Sequence, residues 1–308
     1  MNINISSSIV IPTYNGGHLW HASARNISLQ KEYVKEVIVI DSSSRDDTAQ
    51  VSEDNGFKLF EIPSSEFNHG GTRNLGISLT ESDVVIFLTQ DAIPHENAVK
   101  NIIKVFEDLN VAAAFGRQLP HRDANPIAAH ARAFNYKSES YISHIDVKHK
   151  LGLKTVFISN SFSAYRKSAF EKIGGFPSNT ILCEDMYFSA KAILSGFKIA
   201  YVAEAEVMHS HNYTAIDEFK RYFDIGVFHQ DEAWIRESFG GAGGEGKRFI
   251  LSELSFLLKN APLWIPIACI NNLSKIVGYK LGQNYKKISP KWRKRLSMHK
   301  RYWDNVSD

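Results

Sequence analysis

Ser8-Ile-Val-Ile-Pro-Thr-Tyr-Asn15 and Glu36-Val-Ile-Val-Ile-Asp41 decide the fold: each is a short β-branched apolar run that stops at polar residues. Runs this short, apolar on both alternating faces, suit strands covered by helices. Two more follow, Lys58-Leu-Phe-Glu-Ile62 and Asp83-Val-Val-Ile-Phe-Leu88, with amphipathic segments near 18–30, 46–55, 70–79 and 95–109. The order βαβαβαβα predicts an α/β domain with a mostly parallel central sheet and flanking helices. Ligands of such sheets bind beyond the carboxyl ends of the strands, so chemistry is expected in the residues just after each run.

Those residues are polar. Pro12-Thr-Tyr-Asn15 follows the first run, Asp41-Ser-Ser-Ser-Arg-Asp-Asp-Thr48 the second and Thr89-Gln-Asp91 the fourth. Phe67-Asn-His-Gly-Gly-Thr-Arg-Asn-Leu-Gly76 opens a helix through two glycines, a geometry in which backbone amides and Arg73 can approach an anion. No Gly-x-Gly-x-x-Gly follows the first strand and no Gly-Lys-Ser/Thr loop occurs, so a dinucleotide oxidoreductase and a P-loop ATPase lose support.

From residue 111 the pattern is mixed: an irregular, His-rich aromatic stretch to about 151, a strand expected over 155–159, and a helical turn in 168–177 stopped by glycines and Pro177. A helix is expected from Glu184 to Gly196, then two short strands at 198–202 and 206–209. Beyond Tyr213 the chain reads as helical, interrupted by Gly240-Gly-Ala-Gly-Gly-Glu-Gly246. That break divides an expected domain over 1–239, with a nucleotide-binding half at 1–110 and an acceptor and catalytic half at 111–239, from a helical basic region at 240–308.

With 308 residues, 44% of them hydrophobic, the chain can bury a full core. Cys183 and Cys269 lie far apart, which fits neither a disulfide framework nor a zinc site and agrees with a reducing cytosol; both are expected to be buried thiols. The first eight residues lack the basic start and apolar run of a secretory signal, so export is not expected. The formal charge of +3 is unevenly placed, because 275–303 carries roughly ten Lys and Arg and no Asp or Glu. The preceding stretch, 249–279, is rich in Leu, Ile and Trp yet holds no apolar run of the ~20 residues that span a bilayer. Together they predict a region lying on an anionic membrane surface rather than one that binds nucleic acid; an ordinary helical subdomain with a solvated basic face is the alternative.

The strand ends supply what transfer from a nucleoside diphosphate needs: a place for the base, neutralisation of the leaving diphosphate and a proton acceptor. Asp41 can accept from the N3–H of uracil or thymine with Pro12, Tyr14 and Asn15 as the surrounding wall; capping the following turn is the other reading of Asp41, and of Asp46. Asp91, at the end of an apolar strand, can hold Mg²⁺ or Mn²⁺ between two phosphates, although Gln90 stands where a second acid would strengthen the site. Arg73 can hold a diphosphate in fork geometry. Glu184-Asp185 opens a helix whose positive end favours ionised carboxylates, which suits a general base or simply stabilises the helix. His209 and His211, two apart on a strand, point to one side, either to join Asp91 at a metal or phosphate or to remain surface residues.

In order and spacing, the segments from about residue 9 to 213 resemble family-two glycosyltransferases of the GT-A fold. The resemblance implies nucleoside binding by Pro12, Tyr14, Asn15, Asp41 and Asp46 or Asp47, an Arg-Asn-x-Gly motif at Arg73, Asn74 and Gly76, a metal at Asp91, and a Glu184-Asp185 pair with Asp185 as the base of an inverting transfer. The first acid of the family's Asp-x-Asp motif is absent. Phe67-Asn-His-Gly-Gly-Thr-Arg-Asn74, Thr89-Gln-Asp-Ala92, His209-Ser-His-Asn-Tyr213 and Phe223-Asp-Ile-Gly-Val-Phe-His229 are similar to segments of bacterial rhamnosyltransferases, which brings His69 and Gln90 into the donor site. This likeness implies dTDP-L-rhamnose as donor, a glycan on a polyprenyl diphosphate as acceptor, O-antigen or related polysaccharide assembly, and a place on the cytoplasmic face of the inner membrane. Gln230-Asp-Glu-Ala-Trp234 lacks the arginine of the processive-synthase motif, and without spanning helices to thread a growing polymer, addition of one sugar, or a few, is expected. A nucleotidyltransferase would carry a basic loop after the first strand, where Pro12-Thr-Tyr-Asn-Gly-Gly17 has no Lys or Arg; a silent glycan-binding module of the same fold is the other alternative.

Overall fold

The computed structural model describes residues 5–241 and 244–304; the first four residues, and Ala242-Gly243 of the glycine-rich break, lie outside the described residues. The chain opens with β1 (Ser7–Thr13), α1 (Gly17–Ser28), β2 (Glu36–Asp41), α2 (Thr48–Asp54), β3 (Lys58–Glu61), α3 (His69–Ser78) and β4 (Val84–Leu88). Alternate strand residues feed two different cores, as the two-residue period demands. Ile9, Ile11, Val37, Val39, Ile86 and Leu88 pack with Trp20 of α1 on one face, while Val10, Ile38, Ile40, Val85 and Phe87 pack with Ile77 of α3 on the other. Burial on both faces is why these strands read as continuous apolar runs.

β5 (Ile93–Pro94), α4 (Ala98–Lys104), β6 (Val111–Leu119), α5 (Pro126–Asn135), β7 (Tyr141–Ser143), α6 (Lys148–Leu151), β8 (Phe162–Arg166), α7 (Lys167–Ile173), α8 (Glu184–Leu194) and β9 (Lys198–Met208) follow. They complete a nine-stranded sheet in the order β3-β2-β1-β4-β8-β6-β9-β5, with β7 also on β9. β1, β2, β3 and β4 pair in parallel, as expected. β8 enters antiparallel between β4 and β6, which restores the direction of β1 to β6 and its parallel partner β9, while β5 and β7 run antiparallel to β9. The sheet is therefore mixed, with β5, β7 and β8 opposed to the rest. The carboxyl ends of β1, β2, β4, β6 and β9 share one edge, and the residues before β8 arrive there from the other direction.

Two expected elements differ. Residues 155–159 form no strand: Gly152–Val156 is a 3₁₀ turn, and the strand begins at Phe162. Thr155 and Val156 are fully buried, so their apolar pattern reports packing rather than pairing. The two short strands at 198–202 and 206–209 are one, β9, because a bulge opposite Gly116 and Arg117 lets 203–205 loop without ending the ladder. Gly116 has no room for a side chain there, since a Cβ would lie 2.2 Å from Phe162 and 2.4 Å from the Ala205 carbonyl.

The rest is helical: α9 (Ala215–Asp231), α10 (Ala233–Phe239), α11 (Glu245–Asn260), α12 (Ile265–Gln283) and α13 (Pro290–Leu296). Thr214 and Asp217 form a reciprocal capping box that starts α9. α12 packs on α9 at backbone contact, because added Cβ atoms at Gly226, Gly278 and Gly282 would lie 2.3, 2.3 and 2.0 Å from carbonyl oxygens of the opposite helix. Tyr285, Leu296, Tyr302 and Trp303 join the core that contains Phe223 and Val227. Chain on both sides of the glycine-rich break thus packs together. Cys183 is half-buried, and Cys269 is exposed on α12 rather than buried as expected. Among the described residues, no helix is long and apolar enough to cross a membrane.

Candidate functional site

A cavity of about 760 Å³ lies at the shared sheet edge and extends under α5, α9, α11 and α12. Of the residues singled out by sequence, Pro12, Tyr14, His69, Arg73, Gln90, Asp91, Asp185, His209 and His211 line it. Asn15, Asp41, Asp46, Asn74 and Glu184 are not among its lining residues.

The acids are held by a polar constellation that begins just before β8. Cys183, the residue before α8, takes a left-handed conformation (φ 60°), a strained turn for a side chain with a Cβ. Glu184 is buried; its Oε1 accepts from Asn160 Nδ2 at 2.8 Å and lies 3.1 Å from Arg73 Nη1. Asp185 accepts from the Asn160 backbone N–H at 3.1 Å and from that of Met186 at 2.7 Å. Asn160 is fixed in turn, because its Oδ1 accepts from Ser163 Oγ and Tyr165 Oη at 2.8 and 2.7 Å. Burial raises the Asp185 pKa, and the charge of Glu184 raises it further, to about 7. Burial is the largest influence on Glu184 and favours its neutral form, but Arg73, acting together with smaller favourable contacts such as the Asn160 hydrogen bond, holds its pKa below the ordinary value. Two adjacent carboxyls are thereby driven apart, one ionised and one poised near neutral pH, where a general base works best.

Asp91, His209 and His211 form the second group, with one potential ligand atom from each within 4.8 Å of the others. Asp91 Oδ2 lies 3.5 Å from His209 Nε2 and 3.6 Å from His211 Nε2. His209 Nδ1 is 2.8 Å from Gln118 Oε1, and that amide is oriented because Oε1 also accepts from Arg132 while Nε2 donates to Ser159 Oγ at 2.9 Å. With Nδ1 turned to Gln118, Nε2 of His209 faces the Asp91 carboxylate. A carboxylate and two imidazoles converging in this way make a donor set that fits a divalent cation.

Gln90, Asp41, Asp46, Asn15 and Asn74 make hydrogen bonds within the protein. Gln90 pairs with the Tyr14 backbone in both directions: Tyr14 N–H donates to Oε1 at 2.7 Å and Nε2 donates to the Tyr14 carbonyl at 3.1 Å. A carboxylate could not make the second bond, which accounts for an amide where a second acid was looked for. Asp41 is only 1% exposed, and its oxygens accept from Thr13 Oγ1, Ser44 Oγ and the Ser44 N–H. The turn-capping reading describes it in this arrangement. Asp46 ties the Gly17 N–H to Thr48, and Asn15 bridges Ser44 and Arg45. Asn74 bonds the Phe176 backbone through both amide atoms.

Gly70 and Gly71 do not leave an open amide cradle. Gly71 N–H is capped by Asn68 Oδ1, and Gly70 is demanded by packing, since its Cβ would lie 2.0 Å from the Pro177 carbonyl. Sequence reading passed over Asn160 and Gln118. Gln118 follows Arg117 at the polar end of the apolar run that begins at Val111, which was the available signal for it; Asn160 had none.

The profile of the family described as Glycosyl transferase family 2 matches residues 8–174. The O-antigen chain rhamnosyltransferase RfbN of Salmonella typhimurium is 53% identical over 303 residues, covering 97% of this chain and 96% of its own. WbaN of Salmonella anatum, also an O-antigen chain rhamnosyltransferase, is 53% identical over 305 residues, covering 98% and 96%. Among solved structures, the mannosyltransferase PcManGT from Pyrobaculum calidifontis, in complex with GDP-Man and Mn²⁺, superposes with a TM-score of 0.57 at 17% identity, covering 98% of this chain and 86% of its own. That likeness shows the GT-A fold.

Proposed function

The chain belongs to glycosyl transferase family 2, and from that premise we propose that it transfers a single L-rhamnose, with inversion, from dTDP-L-rhamnose to a glycan carried on a polyprenyl diphosphate during O-antigen assembly. Identity of 53% along nearly the whole length to O-antigen chain rhamnosyltransferases supports the sugar and the pathway. The observation that carries the mechanism is that Asp185, with a pKa near neutrality, and the Asp91-His209-His211 group border one cavity.

In this reading Asp185 takes the proton of the acceptor hydroxyl as its oxygen attacks the anomeric carbon opposite the leaving diphosphate, so one C–O bond forms while the other breaks and the configuration inverts. Glu184, kept ionised by Arg73, keeps Asp185 basic enough to act. Asn160 aims both acids. Asp91, His209 and His211 would hold Mg²⁺ or Mn²⁺, which when bound supplies positive charge to the leaving diphosphate. Pro12, Tyr14, His69 and Gln90 form the donor wall, and Asn15, Asp41, Asp46 and Asn74 hold that wall in shape.

The acceptor's lipid fits the outer face of α11 and α12. Leu251, Leu254, Leu258, Leu263, Ile267, Ile270, Leu273, Val277 and Leu281 are exposed along it, Leu263 at 88%, and basic residues such as Lys259 and Lys280 flank them. Phe249 and Lys275 of the same two helices line the cavity, so a chain resting on an anionic cytoplasmic leaflet would present its acceptor end to the lipid headgroups. Incubation with dTDP-L-rhamnose and a polyprenyl-diphosphate glycan, followed by mass measurement, tests the reading: the acceptor gains one deoxyhexose. Release of pyrophosphate, or no reaction with active acceptor, would refute it.

A further inference from the structure

The cations that line the cavity are unequally free to meet an anion. Arg73 lies 3.1 Å from Glu184, Lys275 and Arg221 lie 3.2 and 4.0 Å from Glu218, and Arg132 donates to Gln118. Arg301 also lines the cavity, is exposed, and has no acidic partner among the described residues; Nη1 donates to the Ser64 carbonyl. With that one bond made, its guanidinium keeps further N–H donors for a ligand. A departing nucleoside diphosphate needs charge neutralisation, and Arg73, already matched to a buried carboxylate, adds little net charge to the cavity.

The tail that carries Arg301 is pinned in place. Asp224, fully buried on α9, accepts the backbone N–H groups of Met298 and His299 through Oδ2 at 2.9 and 3.0 Å. The His299 ring meets His69, the first residue of α3, edge-on with centroids 4.7 Å apart. Burial lowers the pKa of both imidazoles, that of His299 to about 3, so neither contributes charge at neutral pH. On the far side, Trp303 packs 5.4 Å from Tyr285. The Phe223-Asp-Ile-Gly-Val-Phe-His229 segment thus has a physical task, since Asp224 holds the tail and Gly226 admits α12.

We infer that Arg301, carried to the cavity by the pinned tail, is a donor-binding residue, its guanidinium contacting the diphosphate of the nucleotide. This rests on the nucleotide-sugar reading above. Calorimetric titration of dTDP, UDP, GDP and thymidine into the full chain, in wild type, Arg301→Gln and Arg301→Lys, tests it. For whichever diphosphate the wild type binds, Arg301→Gln should weaken affinity about tenfold, thymidine affinity should not change, and Arg301→Lys should recover part of the loss. Equal diphosphate affinity in wild type and Arg301→Gln would overturn the inference alone, as would an equal loss for thymidine, which would mark a merely structural tail. Wild-type binding of none of the three diphosphates would overturn it together with the reading it rests on.

Discussion

Replacing Glu184 by Gln should shift the acid limb of the pH–rate profile downward while leaving the site's hydrogen bonds in place. Gln keeps an oxygen for Asn160 Nδ2, 2.8 Å from Oε1 in the wild type, so the chief change is loss of one buried negative charge. That charge is one of the two causes that raise Asp185 to about 7, and Arg73, freed of its partner, then acts on Asp185 unopposed. Nearby charges move a carboxyl by about 1–3 units, so the Asp185 pKa should fall to roughly 5.5. A base must be ionised to work: at pH 6 roughly a tenth of the wild-type Asp185 is ionised and about three quarters of it in the variant. The plateau should drop, because a weaker base is a poorer one, so the position of the limb carries the information and its height does not. The assay is kcat/KM for sugar transfer between pH 5 and 9. An acid limb unmoved by Glu184→Gln would refute the coupling, and with it the assignment of the limb to Asp185.

Gln118→Met removes the acceptor that fixes the His209 tautomer and should weaken Mn²⁺ binding, measured by calorimetry with the metal alone, about 10–100-fold; unchanged affinity would remove Gln118 from the metal account. Gly282→Ala places a Cβ 2.0 Å from the Phe223 carbonyl, where backbone cannot yield, and should cost about 1–3 kcal/mol or more in chemical denaturation; a neutral result would mean that α9 and α12 are not held at this spacing. Asp224 is raised by burial to about 7. Its contribution to stability is therefore present below about pH 4 and lost as pH rises through about 7. Asp224→Asn, uncharged but still an acceptor for the tail, should be the more stable protein at pH 8.5, by up to about 4 kcal/mol, and should lose that advantage near pH 4. A pH-independent difference would show that Asp224 does not titrate as described.

β1, β2 and β4 were legible because they are buried on both faces and so read as β-branched apolar runs, whereas β3, exposed at Lys58, Phe60 and Glu61, was legible from its place in the alternation of strands and helices. The edge that gathers Tyr14, Gln90 and Asp91 followed from their parallel order, and His209 and His211 came with it once β6 and β9 resumed that direction. Thr155 and Val156 misled because an apolar period records burial and is silent on the partner. Asp41, Asp46 and Asn74 carried polar side chains at informative positions, yet their hydrogen bonds go to the protein, a choice that depends on neighbours 2 to 102 residues away. The bonds of Asn160 depend on α8 arriving beside β8, and the position of Arg301 on a tail that reaches the loop after β3, contacts between segments that no local pattern encodes.

In the proposed mechanism Asp185 performs the chemistry in the cavity that binds the donor. Measuring dTDP affinity and turnover side by side for wild type and Asp185→Asn tests it most directly. Affinity should stay within about twofold while kcat falls by about two orders of magnitude or more; turnover near the wild-type value would contradict the account.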